Sequence, residues 1–257
     1  KPGQRVFYAG KHASVQRFQQ NQNHQWGRLY AAPETLDPAK AVFATMAEIS
    51  MTAPNITDLD LGDTVAVFGL GQAANLAAQL YALRGARVLG LDPVKARCEA
   101  ARACGVDLVL DVAPDAQVQA VKDLCGGRGA EATVDAVGHV AVIRNCAGAC
   151  RLHGQVILLG SPRAPFTLDA QPLFRDIHER GLVVRGAHMW RFEAAPLRNV
   201  KKTVPWAFET CFGLIEDGRL KIEKLTAGTQ PPEKAPEAYR MLQEEKDRAL
   251  AVVLDWR

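Results

Sequence analysis

One stretch, Thr64–Ala74, constrains the fold of this chain more than any other part of the sequence. A β-branched apolar run leads into the turn Gly69-Leu70-Gly71, and a helix-forming run, Asn75–Arg84, follows it. About 20 residues after the glycines, a second apolar run, Arg87–Leu91, ends in Asp92. This order of strand, glycine turn, helix, strand and acid is typical of a dinucleotide-binding site.

Each residue of the turn has a physical reason for its place. Gly69 lets the chain turn tightly off the strand, and Gly71 lets the backbone approach a pyrophosphate closely. The N–H groups of Gln72, Ala73 and Ala74 would face the phosphates at a helix start, which favours an anion by about 0.3–1 kcal/mol when exposed. Ala74 stands where the pattern has a third glycine and tolerates alanine. We therefore predict cofactor contacts at Gly69, Gly71, Gln72 and Ala73.

Asp92 indicates which dinucleotide is preferred. Its carboxylate can accept hydrogen bonds from both hydroxyls of the adenosine ribose and would repel a 2′-phosphate, which favours NAD over NADP. Lys95 and Arg97 lie nearby in the sequence and soften that repulsion, so NADP is less favoured but not excluded. Asp92 and Arg97 are thus predicted to contact the cofactor. The alternative interpretation is a tight turn in an ordinary α/β domain that binds no nucleotide.

Composition and charge argue against several classes of protein. The 257 residues carry 31 basic and 28 acidic side chains, and the net charge of +3 is too small and too dispersed to indicate nucleic-acid binding. No apolar run is long enough to predict a membrane span, and no signal peptide is visible. The six cysteines are scattered without a Cys-x-x-Cys pair, which favours a reduced, cytoplasmic protein. A small-molecule substrate is the expected partner.

Strand-like and helix-like segments alternate through the middle of the chain. The strands are apolar along their whole length, as strands buried on both faces of a parallel sheet are. Because crossovers between parallel strands are right-handed, this alternation predicts an α/β fold with a doubly wound, six-stranded parallel sheet of the Rossmann type. After a first strand at residues 64–68, the predicted strands are Arg87–Leu91, Asp107–Leu110, Ala132–Val137, Gln155–Leu159 and Leu182–Gly186.

The two flanks of this alternating region have a different pattern. The N-terminal flank predicts short strands at Arg5–Tyr8 and Ala13–Phe18. The C-terminal flank predicts two helices, Val204–Asp217 and Pro236–Glu245, and a final strand, Ala249–Leu254.

A set of motifs follows one order along nearly the whole chain. They are Lys1-Pro2-Gly3-Gln4-Arg5-Val6, Gly10-Lys11-His12-Ala13, Leu61–Gly71, Val134-Asp135-Ala136-Val137-Gly138, Gly154–Gly160, Ala238–Leu242 and Ala249–Leu254. Taken in this order, the motifs resemble those of the medium-chain dehydrogenase/reductase superfamily, the zinc-type alcohol and polyol dehydrogenases.

The resemblance implies a domain organisation and an activity. Residues 52–190 would form the dinucleotide-binding domain, and residues 1–51 and 191–257 a partial GroES-like catalytic domain. The implied activity is that of an NAD(P)-dependent oxidoreductase, which transfers a hydride between an alcohol, polyol or sugar hydroxyl and nicotinamide. Homo-oligomerisation is implied as well. By their position in the family's motifs, the residues expected near the nicotinamide are Val137, Gly138, Gly160 and Ser161. The alternative for the two glycines is an ordinary turn at the end of a strand, but ligands bind at the carboxyl ends of such strands.

The sequence departs from the family at the zinc ligands. The catalytic zinc of such enzymes is usually bound by an early Cys, a His-Glu pair and a further Cys, Glu or Asp. The early ligands would precede Lys1, and the last would fall near Ala44-Thr45-Met46, where no ligand stands. Glu48 is the nearest acid, but its use requires a shift of register, and the family's four-cysteine lobe is absent. We assign no metal ligand, and both a zinc-free branch and an N-terminally truncated chain fit this pattern.

No catalytic residue is assigned from the sequence. His188 follows the sixth strand and is a candidate acid–base or substrate contact, with a hydrogen-bonded structural histidine as the alternative. Two other functions stay open beside the dehydrogenase. One is a nucleotide-binding module without turnover, and the other is a redox-neutral enzyme, such as a lyase or epimerase, that keeps NAD bound.

Overall fold

The structure is a computed structural model of the chain, and it describes residues 3–17, 29–106, 108–162, 165–193, 199–245 and 249–257. Contacts between residues divide the chain into two compact units. The middle unit comprises Ser50–His188, and the outer unit comprises Lys1–Ile49 together with Met189–Arg257. Among the described residues, none of the helices has the length and apolar character needed to cross a membrane.

The strands and helices alternate most regularly in the middle of the chain. In chain order they are β1 (Val6–Phe7), β2 (Tyr30–Ala31), α1 (Pro38–Ala41), α2 (Ala44–Ile56), β3 (Thr64–Phe68), α3 (Gln72–Leu83), β4 (Arg87–Leu91), α4 (Lys95–Ala103), β5 (Leu108–Leu110), α5 (Gln117–Leu124), β6 (Ala130–Asp135), α6 (Val140–Ala149), β7 (Cys150–Leu158), α7 (Gln171–Glu179), β8 (Val183–Gly186), α8 (Val204–Glu216), β9 (Thr229–Gln230), α9 (Ala235–Glu244) and β10 (Val253–Leu254).

The middle unit is built on one six-stranded sheet. Its strand order is β5-β4-β3-β6-β7-β8, and each pair of neighbours is parallel. All residues of β3 are buried, because this strand lies inside the sheet and has apolar clusters packed on both of its faces. The predicted α/β fold with a six-stranded, doubly wound parallel sheet is therefore confirmed. The strands β4 and β5 lie on one side of β3, and β6, β7 and β8 lie on the other. The strand order therefore switches between β3 and β6, and ligands bind at such a switch point, beyond the carboxyl ends of the strands.

The outer unit has its own aromatic core. Strands β1 and β2 pair antiparallel, and their side chains Phe7 and Tyr30 pack on Phe208 of α8, with ring centroids 5.1 and 4.4 Å away. Helix α8 begins after Thr203, whose hydroxyl accepts a hydrogen bond from the N–H of Trp206. The short strands β9 and β10 pair in parallel near the end of the chain.

Two segments differ from the sequence-based expectation. The predicted strand Ala13–Phe18 is wrong over residues 13–17, which form no strand and are exposed, while residue 18 lies outside the described residues. Because these residues bury no face and pair with no neighbouring strand, their local β propensity is not supported by packing. Helix α2 was not predicted, although its buried face packs Ala44, Ala47 and Met51 into the structure.

Candidate dinucleotide-binding site

The predicted glycine turn connects β3 to α3. Gly69 has a φ of +92°, a conformation that side chains other than glycine rarely adopt, and its N–H donates a 2.7 Å hydrogen bond to the carbonyl of Leu91. Helix α3 begins at Gln72, directly after Gly71, three residues earlier than the sequence pattern indicated. The third position of the motif, Ala74, is buried in the apolar core beside the sheet. The turn therefore places the N-terminus of α3 at the carboxyl edge of the sheet.

Gly71 is the glycine that the fold itself does not require. It is the N-cap of α3, with φ −61° and ψ 178°, which residues other than glycine also adopt. A Cβ atom placed on Gly71 would meet no atom within 4 Å. The helix geometry leaves the N–H groups of Gln72, Ala73 and Ala74 without intrahelical acceptors. This open, N–H-lined space fits a pyrophosphate, and a side chain at position 71 would fill part of it.

Asp92 lies at the end of β4 and closes the same turn. Its Oδ2 accepts a 2.7 Å hydrogen bond from the N–H of Leu70, and its Oδ1 accepts a 2.8 Å bond from the N–H of Val94. Nη1 of Arg97 lies 3.6 Å from Oδ2, and only 2% of the Asp92 side chain is exposed. Each carboxylate oxygen keeps further acceptor capacity. The acid predicted to bind a ribose therefore also holds the shape of the glycine turn.

The four residues predicted near the nicotinamide lie on two turns that touch through their backbones. A Cβ atom on Gly138 would come within 2.2 Å of the carbonyl oxygen of Ser161, and one on Gly160 within 2.1 Å of the Gly138 nitrogen. Val137 stands beside them, 52% exposed, and a Cβ atom on Gly69 would lie 2.7 Å from its Cγ2. The ends of β3, β6 and β7 thus meet at one edge, where the structure brings the predicted residues together.

Sequence reasoning missed the part played by Asp135. This residue ends β6 and is fully buried, and its Oδ1 accepts hydrogen bonds of 3.0 Å from the N–H groups of both Val137 and Gly138. Burial raises the pKa of the carboxyl group, although its hydrogen bonds to Gly138 and Val137 act in the opposite direction. The signal was present as an aspartate followed by a glycine three residues later, because Asp side chains commonly bond backbone N–H groups in turns.

Two histidines lie near this edge of the middle unit. His139 caps α6, and its Nδ1 accepts a 3.2 Å hydrogen bond from the N–H of Ala141. Its ring packs edge to face on Phe166, with a centroid distance of 4.5 Å. His188, the candidate acid–base residue, is exposed just after β8.

The described residues do not fit a zinc site. They contain no group of three or more His, Cys, Asp or Glu side chains that could hold a metal ion. Within the described chain, both carboxylate oxygens of Glu48 are buried without a hydrogen-bond partner, and burial raises its pKa to about 8. Cys211 is close enough for Glu48 to add to the rise in its thiol pKa, of which burial is the larger cause. Two such side chains are fewer than the three or four protein ligands of zinc sites.

Comparison with known proteins places this geometry in a family. The profile described as zinc-binding dehydrogenase matches residues 40–198, more than half of the chain. The chain belongs to this family. The predicted membership of the medium-chain dehydrogenase superfamily is therefore confirmed, and the matched region contains the whole parallel sheet.

Curated relatives of this zinc-binding dehydrogenase family member include polyol and sugar dehydrogenases. An erythritol/L-threitol dehydrogenase from Mycolicibacterium smegmatis is 26% identical over 186 residues, which are 72% of this chain and 47% of the relative. A D-guloside 3-dehydrogenase from Shigella flexneri is 26% identical over 214 residues, 82% of this chain and 60% of the relative. The chain thus spans about half to three fifths of the length of these relatives.

Solved structures share the fold. A protein described as a short chain alcohol dehydrogenase from Escherichia coli CFT073, solved in complex with the cofactor NADH, matches with a TM-score of 0.73 and 17% identity. The match covers 89% of this chain and 62% of that one. At this identity the likeness concerns the fold alone.

Proposed function

We propose that the middle unit binds NAD(H) at the carboxyl edge of its sheet, and that the protein is an NAD-dependent dehydrogenase of alcohols, polyols or sugar hydroxyls. The observation that carries the proposal is the open space at Gly71. Neither its backbone angles nor any neighbouring atom requires a glycine there, whereas a closely approaching pyrophosphate does.

Different groups of the described residues would bind different parts of the proposed cofactor. Gly69, Gly71, Gln72 and Ala73 would hold the pyrophosphate, and Asp92 with Arg97 the adenosine ribose. Val137, Gly138, Gly160 and Ser161 would line the nicotinamide end. When bound, the nicotinamide supplies the hydride chemistry, and the protein's part is to bind and orient it. The proposal assigns no residue to a metal, since the described residues hold no complete ligand set for zinc.

The preference for NAD over NADP rests on Asp92. Its carboxylate is buried at the position where the 2′-hydroxyl of the adenosine ribose would lie, and a 2′-phosphate would add negative charge beside it. Arg97, with Nη1 3.6 Å from Oδ2, offsets part of that charge. We therefore expect a preference for NAD rather than complete exclusion of NADP.

The substrate class is proposed from the relatives. The names of the curated relatives describe enzymes for erythritol, L-threitol and D-gulosides, all of which carry secondary hydroxyl groups. The matches cover only 47% and 60% of the lengths of these relatives, so much of each relative has no counterpart in the matched region. We accordingly propose a polyhydroxylated substrate without naming one.

Calorimetric titration of the protein with NADH and with NADPH tests the proposal. We expect a submillimolar dissociation constant for NADH, and NADPH binding that is weaker by about tenfold, which corresponds to about 1.4 kcal/mol. Absence of binding by both nucleotides would contradict the proposed function. Reduction of NAD in the presence of tetritols or glycosides then tests the activity, and binding without any turnover would favour the nucleotide-binding module instead.

We also propose that the protein assembles with copies of itself through β8. This strand is the last of the six in the sheet order, so within the described sheet its outer edge is not paired. Val183 and Val184 on it are 42% and 40% exposed. An exposed apolar edge strand is a template for pairing with another strand.

A cytoplasmic location stays a prediction from composition.

A further inference from the structure

The buried aspartate Asp135 accepts hydrogen bonds from backbone N–H groups of two different turns. Its side-chain Oδ1 accepts hydrogen bonds from the N–H groups of Val137 and Gly138, each 3.0 Å long. Its backbone carbonyl accepts from the N–H groups of Leu159 and Gly160, at 2.9 and 2.8 Å. One residue therefore binds the turn after β6 and the turn after β7 at the same time.

These two turns have little freedom to move separately. Gly138 and Gly160 approach so closely that a methyl group on either would overlap the backbone of the other turn. A displacement of the Val137–Gly138 turn therefore changes the surroundings of Gly160 and Ser161. Because Oδ1 of Asp135 is the acceptor shared by Val137 and Gly138, loss of this acceptor releases the first turn and loosens its packing on the second.

The adenine side of the edge is held by other contacts. There the N–H of Gly69 donates to the carbonyl of Leu91, and the N–H of Leu70 donates to Asp92. Neither contact involves Asp135, which lies on the other side of β3, on β6. The hydrogen bonds that hold the two halves of the edge are therefore different ones, and the halves meet where the side chain of Val137 lies beside Gly69.

We propose that Asp135 is a positioning residue that sets the geometry of the nicotinamide half of the cofactor site without affecting the adenine half. It touches no part of the cofactor itself, since it is fully buried, and acts through the Val137–Gly138 and Leu159–Gly160 turns. This inference rests on the proposed function, because it assumes that a dinucleotide lies along the edge.

Binding of NADH and of ADP to Asp135→Ala, which has no side-chain acceptor, separates positioning from general damage. ADP occupies only the adenine and pyrophosphate half, whereas NADH spans both halves. We expect NADH to bind at least about tenfold more weakly to Asp135→Ala than to the wild type, and ADP to bind within about twofold. Asp135→Asn keeps an acceptor oxygen for the two N–H groups and should restore most of the NADH affinity. Asp92→Asn is the matched comparison, and it should weaken both ligands.

Equal weakening of NADH and ADP binding by Asp135→Ala would overturn the inference and leave the proposed function intact. Failure of the wild type to bind either ligand would instead overturn the proposed function, and the inference with it. If Asp135→Ala does not fold, Asp135→Ser decides the matter, because its hydroxyl is a weaker acceptor for the same two N–H groups. NADH should then bind more weakly than to the wild type while ADP binds unchanged, and equal binding of NADH to Asp135→Ser and the wild type would contradict the role of Asp135.

Discussion

The backbone N–H of Leu70 donates a 2.7 Å hydrogen bond to Oδ2 of Asp92, and this bond joins the glycine turn after β3 to the end of β4. The acid of the dinucleotide pattern is therefore a structural part of the turn that it accompanies. Its other oxygen accepts the N–H of Val94, so the carboxylate connects the start of α4 to the same point.

This arrangement makes Asp92→Asn a test of stability as well as of binding. An amide places an N–H₂ group where one carboxylate oxygen accepts a backbone hydrogen, so one buried donor loses its partner. We expect the free energy of unfolding to fall by about 1–3 kcal/mol in urea titrations. Asp111→Asn, an exposed aspartate directly after β5, is the control and should change stability by less than about 0.5 kcal/mol. Equal effects of the two substitutions would contradict the structural role.

The glycines of the site should separate into two groups. Gly160→Ala puts a Cβ atom 2.1 Å from the Gly138 nitrogen, and backbone cannot yield there as a flexible side chain would. We expect this variant to unfold at a markedly lower temperature or not to fold at all. Gly71→Ala, whose Cβ meets open space, should keep its unfolding temperature within a few degrees of the wild type. Thermal unfolding followed by circular dichroism measures both, and a stable Gly160→Ala variant would show that the two turns can separate.

Stability should depend on pH through Glu48. Burial raises the pKa of its carboxyl group from an ordinary value of 4.5 to about 8, so the folded protein keeps a proton that the unfolded chain releases. The contribution of Glu48 to the free energy of unfolding should therefore be largest below pH 4.5. The free energy of unfolding should fall as the pH rises from there towards about 8, by at most about 1.4 kcal/mol per pH unit.

Glu48→Gln should remove most of this fall, because an amide does not ionise, and should stabilise the protein relative to the wild type at high pH. Glu237→Gln, an exposed position on α9, is the matched control and should leave the pH profile unchanged. Urea titrations at several pH values make the comparison. A Glu48→Gln profile as steep as that of the wild type would show that Glu48 is not the responsible group.

Cys125 should be the first thiol to react. The other five cysteines are buried and Cys125 is partly exposed. Burial raises the pKa of the Cys125 thiol. Because the thiolate is the reactive form, labelling should accelerate as the pH increases. Iodoacetamide labelling of the native protein, followed by mass spectrometry, should modify Cys125 first, and Cys125→Ser should abolish the fast reaction. Cys211→Ser should leave the fast reaction unchanged. Early modification of Cys98 or Cys146 would contradict the described packing.

The exposed edge of β8 provides a test of self-association. Val184→Lys places a charge on the strand edge, which natural edge strands use to prevent pairing. If β8 joins copies of the chain, sedimentation velocity should show a shift towards the monomer in this variant. Leu61→Lys, at a largely exposed leucine elsewhere in the middle unit, serves as the control. An oligomer that persists in Val184→Lys would place the interface elsewhere.

The sequence predicted the parts of the fold that depend on local chemistry. The apolar strands and the glycine turn with its following helix are encoded within short windows, so the sheet and the turn were predictable. The role of Asp135 was not, because it depends on β6 and β7 being neighbours. The strand expected at Ala13–Phe18 is absent over residues 13–17 for the same reason, since a strand needs a partner that its own sequence does not reveal.

The location of the site could be predicted from the sequence more readily than the role of each residue in it. The sequence motifs predict Gly138 and Gly160 as cofactor contacts, whereas the structure gives each an internal steric reason to be glycine. Their contact with a nicotinamide stays a prediction. Gly71 is the opposite case, because neither its backbone angles nor its neighbours require glycine, and a bound pyrophosphate is the reason that we propose for it.

The affinity for NADH of Gly71→Ala, compared with that of Gly213→Ala, tests the central claim most directly. Both glycines have open space at the Cβ position, but Gly213 lies within α8 of the outer unit. We expect NADH to bind to Gly71→Ala at least about tenfold more weakly than to the wild type, and to Gly213→Ala with unchanged affinity. Wild-type affinity of NADH for Gly71→Ala would contradict the claim that a pyrophosphate lies against this turn.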